Sequence, residues 1–371
     1  MTVVDELHEE YGATFGSRDG FRVVEDYGRP QSAASAVRKV AGAIEMGYGV
    51  VTVAGEDRHG FVDDAVSNRI PDREGRGCYA LLLDPHGKVR TDMYVYNAGE
   101  HLLVFTPPGR AGPLADDWGE KVFIQDVDVR EATGEFGVFG VHGPMSTEKI
   151  ASVLGGAGAP EEPLSFVRGS MLDAGVTVVA TDSPLGEEGY EVICAADDAP
   201  EVFETLLTRG LNAAPVGYRT WDVLTLEAGT PTYEAELRDR VPNVAGVRNA
   251  LDFEKGCYVG QEVVSRIENR GRPSRRLVGL RPERLPPSDE TTLDGSMAGT
   301  SVLDDGEPVG ELTRATTWST LDRPLAIALV EFDVPESLTI GLDGEEVPAE
   351  RVSLPFVRGS ATSARVPSYP D

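Results

Sequence analysis

Ten residues, Phe253-Glu-Lys-Gly-Cys-Tyr-Val-Gly-Gln-Glu262, hold the densest set of chemically capable groups in this sequence. Cys257 supplies a thiol, Lys255 an amine, and Gln261 and Glu262 an amide beside a carboxylate, with Gly256 and Gly260 framing the loop. Just downstream Val263, Val264 and Ile267 recur at helical spacing, with Glu262 and Arg266 between them. That pattern predicts a tight loop from Gly256 to Gly260 feeding a helix that starts near Gln261. A thiol at a helix N-terminus, two residues from a lysine, sits in a positive field that favours the thiolate. An isolated cysteine is also well suited to be a small buried hydrophobe, and spacing alone leaves both readings of Cys257 open.

The elements that must position such a site belong to a chain of 371 residues, long enough for two or three domains. Hydrophobic residues make up 40%, enough for a substantial core. The apolar runs, such as Leu102–Phe105 and Leu325–Val330, are strand-length and far short of the roughly 20 residues of a membrane span. The first residues carry no basic stretch followed by an apolar one, so the reading is a soluble cytoplasmic protein with no membrane partner. The formal net charge is −28, and only five residues are lysine. Acid spread through the chain, with arginine in place of lysine, points to a halophilic cytosol where salt screens the repulsion. It also points to a monomer and argues against nucleic acid as a ligand, which needs a basic footprint. The three cysteines form no Cys-x-x-Cys and the five histidines no paired motif, so no protein-built metal site is expected.

Residues 30–47 carry an Ala-rich helical pattern ending at Gly47, followed by a strand over Gly49–Val53 and a helix over 58–68. Cys78–Leu83 and Val89–Tyr96 flank the turn Asp84-Pro-His-Gly87 and predict a hairpin. Strands are expected at 102–106, 122–129 and 136–141, with a helix opening after Gly143-Pro144. Val176–Ala180 and Glu191–Ala195 predict a second hairpin, Pro200–Arg209 a short helix, and 234–240 a further helical stretch. From Arg275 the pattern becomes short strands with Gly and Pro turns, which reads as a small β-barrel.

The segment Phe253-x-Lys-Gly-Cys-Tyr-x-Gly-Gln-Glu-x-Val-x-Arg266, with Arg275-Arg-Leu277 after it, resembles the signature of the YgfZ-type folate-binding proteins, relatives of the glycine-cleavage T-protein, an aminomethyltransferase. Val53–Asp57, Gly87–Tyr96, Val141-His-Gly-Pro144, Gly186–Glu191, Leu226–Gly229 and Val309–Thr313 resemble further family segments, in family order. The resemblance implies an α+β fold: two interleaved folate-binding subdomains around a central channel, then a C-terminal β-barrel. The implied boundaries are 1–274 for the folate-binding region (roughly 1–50 with 141–240, and 51–140 with 241–274) and 275–371 for the barrel.

It implies tetrahydrofolate, or a one-carbon derivative, as cofactor. Glu191 would recognise the pteridine's N–H groups and Asp92 would lie near the reactive nitrogens. Tyr94 and Tyr96 would pack on the pterin, and Arg219 and Tyr258 would complete the binding set. Cys257 would be the working thiol, with Lys255 and the helix N-terminus lowering its pKa and Gln261 and Glu262 fixing the loop or contacting the partner. The implied function is support of iron–sulfur cluster assembly or repair, with an iron–sulfur client as partner. An aminomethyltransferase acting with a carrier protein is the alternative, and a non-catalytic scaffold is a second. The chain departs from the T-protein at Thr91-Asp92, where that family has two aspartates, and at Pro184 and Trp221, where it has a tyrosine and an arginine. The T-protein also lacks the cysteine of the Lys-Gly-Cys-Tyr motif.

Overall fold

The computed structural model describes residues 2–286, 297–342 and 344–370. The protein is mixed α/β with a C-terminal six-stranded barrel. A six-stranded sheet has the order Phe166–Met171, Ala174–Ala180, Gly189–Ala195, Phe136–His142, Gly42–Glu45, Ala214–Pro215. A five-stranded sheet has the order Arg76–Leu83, Val89–Asn97, His101–Thr106, Gly49–Ala54, Asp128–Glu131. The chain gives one strand to the first sheet, leaves to build the whole of the second, and returns at Phe136, so the two units interleave in sequence. The barrel closes through Arg275–Pro282, Leu325–Glu331, Glu307–Thr316, Ser301–Asp304, Ser337–Leu342 and Glu345–Val352. Its Ser337–Leu342 strand went unanticipated, although Leu338 and Ile340 alternate inward as a strand requires.

Each unit has its own core. One lies under the six-stranded sheet around Phe139 and Phe203, one under the five-stranded sheet around Met93 and Trp118, and one inside the barrel around Leu280 and Ile340. A fourth and larger cluster lies where the units meet, joining Ile44, Tyr94, Val179 and Trp221 to Leu277 and Leu329 of the barrel. Strand periodicity decides which core each residue serves. On Val89–Asn97, Met93 and Val95 face the five-stranded unit's own core, while Tyr94 and Tyr96 face the central cluster.

Three local expectations fail for identifiable reasons. The helix expected over 30–47 ends at Lys39, and Gly42–Glu45 is a strand. A Cβ on Gly42 would lie 2.5 Å from Val37 and 2.6 Å from Val216, so this residue marks where the strand packs closely under the helix Pro30–Lys39 rather than a helical position. The strand expected over 122–129 exists only from Asp128, and Phe123 and Ile124 are 85% and 98% exposed. β-Prone residues form no strand there because no sheet face receives them. The helical stretch expected over 234–240 is a single π-turn, Tyr233–Leu237.

Candidate functional site

A cavity opens beside the central cluster, between the five-stranded sheet, the helix Tyr218–Glu227 and the segment 230–234. Its walls include Tyr48, Tyr79, Asp92, Tyr94, Phe105, Tyr218, Trp221, Tyr233 and Arg365, with Arg18, Asp222 and Glu234 also lining it. Tyr48 is the link between the units. Gly47 and Gly49 flank it where the chain leaves one sheet for the other, and neither has room for a side chain. A Cβ on Gly47 would lie 2.8 Å from Val23, and one on Gly49 2.7 Å from Ala111. The passage is therefore tight, and it places the Tyr48 ring 6.3 Å from Tyr94 and 5.8 Å from Phe105.

The strand pair Arg76–Leu83 and Val89–Asn97 places Leu81 opposite Asp92 and Tyr79 opposite Tyr94. The diagonal neighbours then meet: Tyr79 Oη donates to Asp92 Oδ2 at 2.7 Å. Asp92 is 6% exposed, and its Oδ1 is buried with no hydrogen-bond partner among the described residues. Burial raises the Asp92 pKa, opposed by the Tyr79 hydrogen bond and the Arg365 charge. Tyr94 Oη donates to Asp182 Oδ1 at 2.7 Å, and Arg365 Nε lies 3.1 Å from Asp182 Oδ2. Burial opposes the Arg365 charge, yet Asp182, then Tyr94, Tyr79 and Asp92, hold the guanidinium firmly protonated.

Glu191 sits one layer behind the wall. It is 3% exposed, and Tyr48 Oη donates to its Oε1 at 2.7 Å. Burial pushes its pKa up to about 7. Tyr96 stands behind Tyr94, with the rings stacked at 6.3 Å, and is itself fully buried. Of the residues singled out from the sequence, Asp92 and Tyr94 therefore line the cavity, while Glu191 and Tyr96 back it.

The others lie elsewhere. Arg219 pairs with Asp26 and does not line the cavity; Trp221, on the same helix, takes the place inside. Tyr258 is 7% exposed and packs in the central cluster away from the cavity wall. The cysteine loop forms as its glycines require. Gly260 has φ 83° and caps the helix Gln261–Asn269. A Cβ on Gly260 would lie 2.7 Å from Asp84 O, so the loop packs on the turn of the Asp92 hairpin, outside the cavity. Cys257 is exposed, and Glu262 and Arg266 form an exposed i,i+4 pair.

The Lys255 amine is committed to backbone carbonyls. The residue is 5% exposed, and its Nζ donates to the carbonyl oxygens of Val66 and Asn68 at 3.0 Å, and to Asp63 O, closing the C-terminal end of the helix Arg58–Ala65. The thiol it bears on electrostatically is Cys78, which burial pushes up to about 12 while Lys255 pulls it down. Spacing put Lys255 beside Cys257, whereas a cation near a helix C-terminus has its own demand for carbonyls.

The sequence missed Tyr48, Tyr79, Asp182, Trp221 and Arg365. Asp182 follows a predicted strand at a turn, which is a readable signal; Arg365 had none. His142 is buried beside Trp221, with ring centroids 5.3 Å apart, and burial lowers its pKa to about 3, so it is neutral. Among the described residues no group of three or more His, Cys, Asp and Glu is placed to hold a metal, and no helix is long and apolar enough to cross a membrane.

Residues 4–255 match the GCVT N-terminal domain, and residues 275–358 match the glycine cleavage T-protein C-terminal barrel domain. The chain belongs to the glycine cleavage T-protein family. It is 31% identical over 374 residues to an aminomethyltransferase of Streptomyces avermitilis, covering 96% of this chain and 97% of that protein. It is 28% identical over 373 residues to an aminomethyltransferase of Saccharopolyspora erythraea, covering 97% and 99%. The crystal structure of the glycine cleavage system aminomethyltransferase T from Bartonella henselae superposes with a TM-score of 0.83 at 22% identity, covering 96% of this chain and 98% of that one, a likeness of fold.

Proposed function

We propose that this T-protein family member is a tetrahydrofolate-dependent one-carbon transferase of the aminomethyltransferase type. The observation that carries this reading is Asp92: a carboxyl group of raised pKa, held by Tyr79 on one oxygen, with the other oxygen unpartnered among the described residues, at a cavity walled by aromatic rings. A flat heterocycle fits between such rings. A poised carboxyl can then take the proton that the folate nitrogen releases as it accepts the carbon. Full-length relatives named aminomethyltransferase support the same reading. The test is folate-dependent release of ammonia from an aminomethylated carrier protein. Purified protein that binds a reduced folate but transfers nothing from its own carrier would sink the transferase.

One observation favours a second reading. Cys257 is exposed on a loop outside the cavity, where a thiol is open to a client protein. In that reading the protein binds folate and supports iron–sulfur enzymes through Cys257. Substituting Cys257→Ala in cells would then abolish that support while leaving folate affinity unchanged. Full complementation by the variant would remove the thiol from function.

A further inference from the structure

The barrel match ends at Arg358, and the chain beyond it runs back over the two sheet units. Ser360 N and Oγ donate to Glu187 Oε2 at 2.8 and 2.7 Å, and Ala364 N donates to Asp182 O at 3.0 Å. Ser368 N donates to Gly246 O at 2.9 Å. Tyr369 Oη accepts from Leu277 N at 2.7 Å and donates to Val244 O at 2.9 Å. Between these anchors Arg365 is 8% exposed, and its guanidinium carbon lies 5.0 Å from the centre of the Tyr79 ring and 5.6 Å from that of Tyr94. Arg365 and Asp92 line the same cavity, and Tyr79 touches both.

A guanidinium has five N–H donors, more than a single carboxylate oxygen can take. Arg365 Nε faces Asp182 Oδ2, and the group as a whole lines the cavity. The cavity therefore has a buried acceptor, Asp92 Oδ1, and a fixed cationic donor on one wall. A reduced pterin presents the matching edge: its reactive N5–H lies beside the carbonyl oxygen on C4. We propose that the C-terminal tail is a wall of the ligand cavity and that Arg365 is a specificity-determining residue, binding the pterin carbonyl while Asp92 accepts from N5–H. This rests on the folate reading above and adds the group that would fix the ring's orientation.

The test compares dissociation constants for tetrahydrofolate and for its 4-amino analogue, in which the carbonyl oxygen is replaced by an amine that cannot accept from a guanidinium. Wild-type protein is expected to favour the 4-oxo ligand by about tenfold to a hundredfold. Arg365→Gln leaves the Asp182 carboxylate buried without its cation, so the double variant Arg365→Gln/Asp182→Asn, which is neutral at both positions, guards against loss of the fold. In it the preference should fall to within about threefold, with affinity for the 4-amino analogue unchanged, and Arg365→Lys should restore part of the preference. Equal loss of both ligands in the double variant would make the tail merely structural and overturn the proposal, as would wild-type protein that binds tetrahydrofolate without discriminating. Wild-type protein that binds neither ligand would remove the folate reading itself.

Discussion

Among the described residues Asp92 has one hydrogen-bonded and one unpartnered oxygen in a buried setting, an arrangement with little stabilising value for the fold and direct value for holding a proton. Asp92→Asn keeps the shape and a hydrogen-bonding partner for Tyr79 but removes the base. We expect turnover in the folate-dependent ammonia assay to fall by about 10²–10⁴-fold, with reduced-folate affinity changed far less. An equal loss in both would assign Asp92 to binding alone. Glu191 makes a prediction of opposite character. Its pKa is raised from 4.5 to about 7 by burial, so between those values the folded state holds a proton that the unfolded chain has released. Its contribution is fully present below about pH 4.5 and is lost as pH rises through about 7. Glu191→Gln should therefore be more stable than wild type at pH 8, by an amount on the order of 1–3 kcal/mol, and the gap should shrink toward pH 5. Thermal melts of both proteins across that range, with no ligand present, check the sign.

At the scale of elements, the cysteine loop and Lys255 separate what spacing conveys from what it cannot. Gly260 before Val263, Val264 and Ile267 correctly foretold a helix at Gln261, because backbone conformation and amphipathic period are local properties. The direction of the Lys255 amine is not local: it is set by the carbonyls ending a helix nearly two hundred residues earlier. Lys255→Met should lower the melting temperature by several degrees, since buried carbonyls lose their donor. It should leave the alkylation rate of Cys257 unchanged at temperatures where the variant is folded; a clear slowing would return Lys255 to the thiol. The same distinction governs the site. Asp92 and Tyr94 were legible through the family resemblance, and the hairpin's period of two puts them on one face. Tyr48 was hidden in a crossing between two glycines, and Arg365 in a tail with no periodic pattern. Both act through contacts 143 or more residues away in sequence, Tyr48 on Glu191 and Arg365 on Asp182.

At the scale of the whole molecule, the interleaved sheets and the barrel converge on a single cluster beside the cavity, and the tail ties all three together. Such a site is complete only when the units are docked, so ligand binding and global stability should rise and fall together. The surface works against docking at low salt. With a net charge of −28, self-repulsion is screened within about 3 Å at 1 M salt but extends to about 10 Å at 0.1 M. The melting temperature should climb as potassium chloride is raised from 0.1 to 2 M, and a flat or falling curve would contradict this. The central claim, that the cavity at Asp92 holds a reduced folate, is tested most directly by a crystal structure with a stable reduced folate bound at saturating concentration. The pterin ring is expected between the tyrosines, with a ring nitrogen within hydrogen-bonding distance of Asp92 Oδ1. Folate bound outside this cavity, or a cavity left empty at saturation, would contradict it.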